Sequence, residues 1–308
     1  ALMQNLVVTL SGKPGSGKSS MVGLISESLG LKESNKFVQI QTQRGWTSDR
    51  DILGFENKIT NKYEVDRYGF YKLLSSMQDE RSLNNELAIT MLDEANLSPI
   101  EHYWSAFMDA FDHPESFKTQ GKESIKLPKG LRFLATINND QTTETFSARF
   151  LDRSPVITMF NKNVTLQSIS SEDSDEDLKP LDYSYEFLEN CFKGHNDLDS
   201  DITAVLNGLK DYECLEIEHR KMQAFQKLTS SLFYPLRLMD NGSSVAYDYG
   251  ILLHLLPKIN GQGQKYRENL EKLQGYLEKN NYEMSEKKVS QIIEDGSQSF
   301  ESYSYFSS

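Results

Sequence analysis

The residues with the clearest chemical content are the octapeptide Gly12-Lys-Pro-Gly-Ser-Gly-Lys18-Ser19, which follows the apolar run Leu6–Leu10 and precedes a helical pattern through Met21, Val22, Leu24, Ile25 and Leu29. A strand, a glycine loop and a helix start in that order form a phosphate cradle, because glycines let successive backbone N–H groups converge on anionic oxygens at the positive end of a helix. Gly12, Gly15 and Gly17 permit the tight turn. Lys18 can reach the β and γ phosphates, and Ser19 can place its hydroxyl on Mg²⁺. Pro14, Ser16 and Ser20 complete the set expected to contact a nucleoside triphosphate.

A second constellation begins where the apolar run Ala88–Leu92 ends in the adjacent acids Asp93 and Glu94. Neighbouring residues at a strand tip point different ways. Asp93 can therefore hold Mg²⁺, through Ser19 or a bound water, while Glu94 orients and deprotonates an attacking water. Alone, such a pair would read as a solvated loop start; with a phosphate loop upstream it reads as a catalytic pair. Leu131–Ile137 then delivers Asn138 and Asn139 to another strand end. A neutral amide there can hydrogen-bond both the γ-phosphate and the water, and Asn138 is chosen over Asn139; turn capping is the alternative for either.

Phosphoryl transfer also needs positive charge on its equatorial oxygens, and an arginine from a neighbour is worth ~10³ to 10⁵ in rate. Arg153, just before the run Pro155–Met159, is the candidate finger across a subunit interface, with Arg149 the runner-up. Arg237, in Tyr234-Pro-Leu-Arg237, is placed to reach the phosphates from a second domain. For each the alternative is a surface arginine, whose ion pairs contribute at most about 1 kcal/mol.

The elements that must position these groups are legible as pattern. Runs at Leu6–Leu10, Phe37–Gln41, Ala88–Leu92, Arg132–Ile137 and Pro155–Met159 predict five strands of a doubly wound α/β sheet. Between the third and fourth, Ile100–Phe111 predicts one helix and Thr119–Lys122 the turn of an inserted hairpin. The acidic run Ser170–Asp177 reads as a solvated connector. Beyond it, Tyr185–Phe192, Ile202–Leu209, Arg220–Leu232, Ala246–Leu256, Tyr266–Lys279 and Glu286–Glu294 show helical apolar spacing. Breaks are expected at Pro235, Asn241-Gly242, Pro257 and Gly261-Gln-Gly263. The expected domains are an α/β core over 1–168, an acidic linker over 169–180 and an α-helical lid over 181–308.

Composition is that of a globular chain: 308 residues, 38% hydrophobic and 25% charged, which does not favour disorder. No membrane-length apolar run is present and Ala1–Gln4 lacks a basic signal region, so a cytoplasmic protein without a membrane partner is expected. Cys191 and Cys214 have no metal or disulfide spacing. The net charge of −12 is uneven: residues 1–160 hold 18 basic and 20 acidic side chains, the remainder 15 and 25. Such a surface repels phosphate backbones, so DNA contact would require a local patch or a separate domain. Trp46, flanked by Arg44 and Arg50, is one site for such a patch, although a packed core tryptophan is the favoured reading.

Together these strings resemble the AAA+ ATPases, and within them the McrB-like branch, the NTP-driven subunit of modified-cytosine restriction systems, related to MoxR and dynein-type modules. The resemblance also draws on Gly45-Trp46…Leu53-Gly54-Phe55, Leu92-Asp-Glu-Ala-Asn-Leu97, Glu101-His-Tyr103, Ala135-Thr-Ile-Asn138, Phe146–Arg153 and the lid-like Leu256-Pro-Lys-Ile-Asn-Gly261, and so covers almost the whole chain. It implies an AAA+ P-loop fold with an α-helical lid and a ring, usually hexameric. Lys18, Asp93, Glu94 and Asn138 would act within one subunit, Arg153 across to the next, and Arg237 as a second sensor. It implies ATP or GTP with Mg²⁺ as cofactors and a McrC-like nuclease as partner. Asn138-Asn-Asp-Gln141 stands where McrB carries Asn-Thr-Ala-Asp, which favours ATP, and the modified-DNA reader typical of McrB is expected to be absent or removed. A MoxR-like chaperone acting on proteins is the alternative function, and a nucleotide-gated scaffold without turnover is a third.

Overall fold

The computed structural model describes residues 1–57, 59–60, 62–64, 67–113, 117, 125–138, 146–159, 184–193, 199–236 and 242–306. Its strands are β1 (Val7–Gly12), β2 (Phe37–Gln41), β3 (Phe55–Asn57), β4 (Lys62–Glu64), β5 (Ala88–Asp93), β6 (Leu131–Asn138), β7 (Val156–Thr158), β8 (Asn260–Gln262) and β9 (Ser302–Ser304). Five of them form a parallel sheet in the order β2-β5-β6-β1-β7. Its registers include Gln41 beside Asp93 and Leu92 beside Ala135. The expected α/β class and all five expected strands are therefore present.

Burial follows position in the sheet. β1 is buried throughout, and β5 and β6 are buried except at their last residues, as in parallel strands covered on both faces. β2, at the edge, exposes Gln39 and Gln41 on either side of buried Ile40. The antiparallel pair β3–β4 and the helices Phe70–Ser76 and Glu80–Asn85 fill the stretch between β2 and β5. Ile100–Phe111 is two helices, Ile100–Tyr103 and Ser105–Asp112, rather than one. The chain turns at Trp104 (φ −113°, ψ 14°), whose buried indole packs 5.6 Å from the ring of Phe107 and 5.2 Å from that of Phe133. Aromatic burial outweighs helix continuity there.

The chain divides into two compact units with different limits from those read in the sequence. One comprises Leu10–Glu144 and Thr158–Glu186; the other comprises Ala1–Thr9, Thr145–Ile157 and Phe187–Ser308. The second, largely helical unit claims Thr145–Ile157 because Leu151 and Val156 are buried in its apolar core with Ile202, Leu206, Phe225 and Ile251. It claims the first residues because Gln4 donates to Lys227 O (3.0 Å) and Ser231 Oγ (2.6 Å).

Its helices run Asp199–Leu209, His219–Leu236, Gly242–Gly250, Gln264–Lys279 and Glu283–Gln298. His219–Leu236 includes Pro235 one residue before its end, although a proline there removes one N–H donor and its ring crowds the carbonyl four residues back. Ala246–Leu256 is not one α-helix: after Gly250 the chain widens into a π-helical turn, Ile251–Leu255, and then tightens into a 3₁₀ turn, Leu256–Lys258. The pair β8–β9 had no signal in the pattern. The expected hairpin turn at Thr119–Lys122, the acidic connector and linker, and Arg237 lie outside the described residues.

Candidate phosphate and metal site

The site is assembled at the carboxyl ends of β1, β2, β5 and β6, where open parallel sheets bind their ligands. Gly12 ends β1 so close to the next strand that a Cβ there would stand 2.7 Å from the Met159 carbonyl oxygen and 2.8 Å from Ser16 Oγ. Gly15 (φ +78°) and Gly17 (φ +84°) take the left-handed turn that side chains resist, with nothing within 4 Å of an added Cβ. The helix Lys18–Ser28 starts directly after Gly17.

Lys18 Nζ donates to the carbonyls of Gly12 and Lys13, both at 2.9 Å, and to Ser16 Oγ at 3.4 Å. Burial lowers its pKa, while the nearby Asp93 and Glu94 carboxylates push the other way. Ser19 Oγ donates to Asp93 Oδ1 at 3.0 Å. A hydroxyl and a carboxylate converging beside a phosphate loop are hard oxygen donors of the type Mg²⁺ takes, with phosphate oxygens and waters completing its shell. The donor set fits a Mg²⁺–nucleotide. Among the described residues no cluster of three or more His, Cys, Asp and Glu side chains offers a different kind of metal centre.

Glu94 has φ +53°, a conformation that costs a non-glycine residue ~1–3 kcal/mol and persists only when its surroundings enforce it. Those surroundings are neutral amides and one hydroxyl. Asn138 Nδ2 donates to Glu94 Oε1 and Gln41 Nε2 to Oε2, each at 3.2 Å. Thr136 Oγ1 accepts from the Glu94 backbone N–H at 3.0 Å and donates to Asp93 Oδ1 at 2.6 Å. Gln39 Nε2 reaches Asp93 Oδ2 at 3.2 Å, and Asn96 Nδ2 donates to the Asn138 carbonyl at 3.0 Å. The acids are thus aimed by groups that do not neutralise them, which keeps one free to bind a cation and the other to accept a proton.

Of the residues chosen from the sequence, Pro14, Gly15, Gly17, Lys18, Ser19, Ser20, Asp93, Glu94 and Asn138 line one cleft of about 360 Å³. Gly12 and Ser16 sit in the same loop beneath it, bonded to Lys18. Thr136 and Gln41 also line the cleft and were missed. Their signal was present: Gln39 and Gln41 alternate with apolar residues in Phe37–Gln41, and Thr136 stands two residues before Asn138 on the same face of its strand.

Arg149 and Arg153 belong to the helical unit. Arg153, the first choice for a finger, is turned inward: it is 7% exposed and its Nη1 donates to the Arg149 carbonyl at 3.0 Å. Arg149 is exposed. Trp46 is a core residue as favoured, buried with its ring 5.4 Å from Tyr103 and 6.2 Å from Tyr68 in edge-on contacts. Cys214 is buried, which pushes its thiol up to about 11, and Cys191 is exposed. Among the described residues no helix is long and apolar enough to cross a membrane.

Residues 177–299 match a family model described as Domain of unknown function (DUF8727). A comparison with curated proteins finds no match.

Proposed function

We propose that this chain is a Mg²⁺-dependent nucleoside triphosphatase of the AAA+ type. It hydrolyses ATP in preference to GTP in a ring, hexameric in the manner of the family it resembles, and the second unit is its lid. The observation that carries the reading is the 3.0 Å contact of Ser19 Oγ with Asp93 Oδ1 at the mouth of the glycine loop, with Glu94 held beside it by Asn138.

The backbone N–H groups of the loop and the Lys18 ammonium bind the β and γ phosphates, for which Lys18 exchanges its carbonyl partners for phosphate oxygens. Ser19 and Asp93 would hold Mg²⁺, which when bound would supply Lewis-acid polarisation of the phosphoryl oxygens. Glu94 accepts the proton of the water that attacks the γ-phosphorus, the bond to the β–γ bridging oxygen breaks, and nucleoside diphosphate and phosphate leave. Asn138 bonds both Glu94 and the γ-phosphate side of the cleft. An arginine from the neighbouring subunit supplies the remaining positive charge; Arg153 has the expected place in the sequence, and exposure favours Arg149.

Turnover of ATP and GTP side by side, with Mg²⁺, tests the reading. Glu94→Gln should keep nucleotide binding and lose turnover, and Lys18→Ala should lose both. Normal turnover in both variants would remove the reading. A nucleotide-gated scaffold predicts that Glu94→Gln changes nothing.

The process driven is, on resemblance, that of a motor in a McrBC-like DNA restriction or defence complex with a McrC-like nuclease. The net charge of −12 favours the second reading, a MoxR-like chaperone whose ring remodels proteins. Stimulation of hydrolysis by DNA that collapses with added salt supports the first; stimulation by a protein client, with indifference to DNA, supports the second.

A further inference from the structure

The short helix Ala148–Leu151 and the two residues after it carry both arginine candidates, and four residues cannot hold their own orientation by helix formation. The turn is fastened from outside. Ser147 Oγ accepts the Phe150 N–H at 3.3 Å. Lys221 Nζ, from the helix His219–Leu236, donates to the Leu151 carbonyl. Lys258 Nζ, at the end of the 3₁₀ turn, lies 2.9 Å from Asp152 Oδ1, with the lysine side chain 2% and the carboxylate 10% exposed. Glu216 and Glu218 lie 3.4 and 3.6 Å from the same ammonium, but both are more than half exposed. Of these three acids Asp152 is the least exposed.

Two buried lysines converging on the adjacent residues Leu151 and Asp152 is an expensive arrangement if cohesion alone were the need. Apolar side chains of similar size would hold the turn at least as firmly, since desolvation cancels much of the Coulombic gain of a buried pair. Charge and directed hydrogen bonds specify where the turn sits. The electrostatic surroundings agree: burial opposes charge on Lys258, but Asp152, Glu218 and Glu216 outweigh it and hold the ammonium above its ordinary range. Burial lowers Lys221 to about 7, with Asp152 and Glu218 raising it and Lys258 lowering it further.

We propose that Lys258, through Asp152, and Lys221, through the Leu151 carbonyl, are positioning residues that fix the arginine-bearing turn 148–153 for its reach into the nucleotide site of a neighbouring subunit. The inference rests on the trans-arginine reading above. It adds that the lid's Leu256-Pro-Lys258 segment governs hydrolysis next door while leaving its own subunit's phosphate grip intact.

Mixing of full-length variants tests it. Lys258→Met should bind nucleotide as the wild type does and lose turnover by about 10²-fold, the order of loss that an ~1 Å misplacement of a reacting group produces. Lys258→Arg should recover most of the rate. Lys18→Ala has no working site but an intact turn. An equal mixture of Lys258→Met with Lys18→Ala should therefore turn over several times faster than the two measured apart, because the intact sites of the first receive arginines from the second. Should Lys258→Met fold poorly, Asp152→Asn takes its place, since it keeps the volume and leaves Lys258 with Glu216 and Glu218. Arg149→Ala and Arg153→Ala, each mixed with Lys18→Ala, are the controls. If an arginine variant is complemented while Lys258→Met and Asp152→Asn are fully active, or are inactive in every mixture, the positioning role is overturned and the trans arginine stands. If neither arginine variant loses activity, both fall.

Discussion

The candidate phosphate site and the turn that carries Arg149 and Arg153 solve the same problem, holding a charged group still, by opposite means. At that site the acid pair and the side chains of Gln41, Thr136 and Asn138 come from strand ends, Lys18 and Ser19 come from the first turn of a helix, and the parallel register sets Gln41 beside Asp93. The orienting groups there are neutral and partly solvated. The arginine turn has no ladder to place it and is held by buried lysines from more than sixty residues downstream, Lys221 and Lys258. Register positions several groups at once through backbone bonds already made, whereas an isolated turn requires dedicated side chains whose charge must be satisfied under burial.

The contrast breaks most readily at Glu94. Glu94→Gln preserves size and can still accept from one of the Gln41 and Asn138 amides, donating to the other if that amide turns its oxygen inward, but it cannot accept a proton. The expected loss is about 10² to 10⁴ in kcat with nucleotide affinity preserved, read by steady-state kinetics and equilibrium binding. A loss of affinity instead would mean that the amides position the loop rather than the acid.

Thr136→Val comes next. It keeps the branched shape and removes the oxygen that serves Asp93 and the Glu94 N–H together. A hydrogen bond to a charged group contributes ~1.5–3 kcal/mol, so roughly a tenfold or greater loss in kcat/KM is expected, with more Mg²⁺ needed for half-maximal rate. Lys258→Met should leave that Mg²⁺ requirement unchanged. Equal sensitivity of the two variants to Mg²⁺ would erase the distinction between the regions.

What could be read in advance follows the same division. The phosphate loop and acid pair are local strings next to apolar runs, and Phe37–Gln41 is a strand over the whole span that its pattern predicts. Gln39, Gln41 and Thr136 were overlooked because neutral side chains have chemistry only once register sets them beside an acid. The break at Trp104 reflects tertiary packing that helical spacing cannot carry. Thr145–Ile157 joins the helical unit through contacts of Leu151, Asp152 and Val156 with residues far along the chain. Nothing in Phe146–Arg153 announces that attachment, and Lys258 reads only as one letter of a lid-like string.

The smallest effect expected concerns stability and separates the regions by pH. Lys221 sits in the fold at about 7 against an ordinary 10.5 because burial disfavours its charge. The unfolded chain therefore holds a proton that the folded chain releases between those values, and stability should rise with pH across the window, by at most about 1.4 kcal/mol per unit for one proton. The contribution is complete above the unfolded value and is lost as pH falls through about 7. The groups facing Lys221 do not mimic it: His254 is pushed well below its usual range by burial and by Lys221 itself, while Lys258 is held above its own. Elsewhere in the unit, Lys288 is lowered to about 8 by burial and adds a slope of the same sign, and ionisation of the buried Cys214 thiol in the unfolded chain, ordinarily near 9, opposes it at higher pH. The decisive quantity is thus the difference between wild type and Lys221→Met in denaturant unfolding from about pH 7 to about pH 8.5. The variant should have the shallower slope, and Thr136→Val should keep that of the wild type. An identical slope in wild type and Lys221→Met would mean that Lys221 is solvated in the fold and that the Leu151 carbonyl lacks the buried lysine that sets the turn apart.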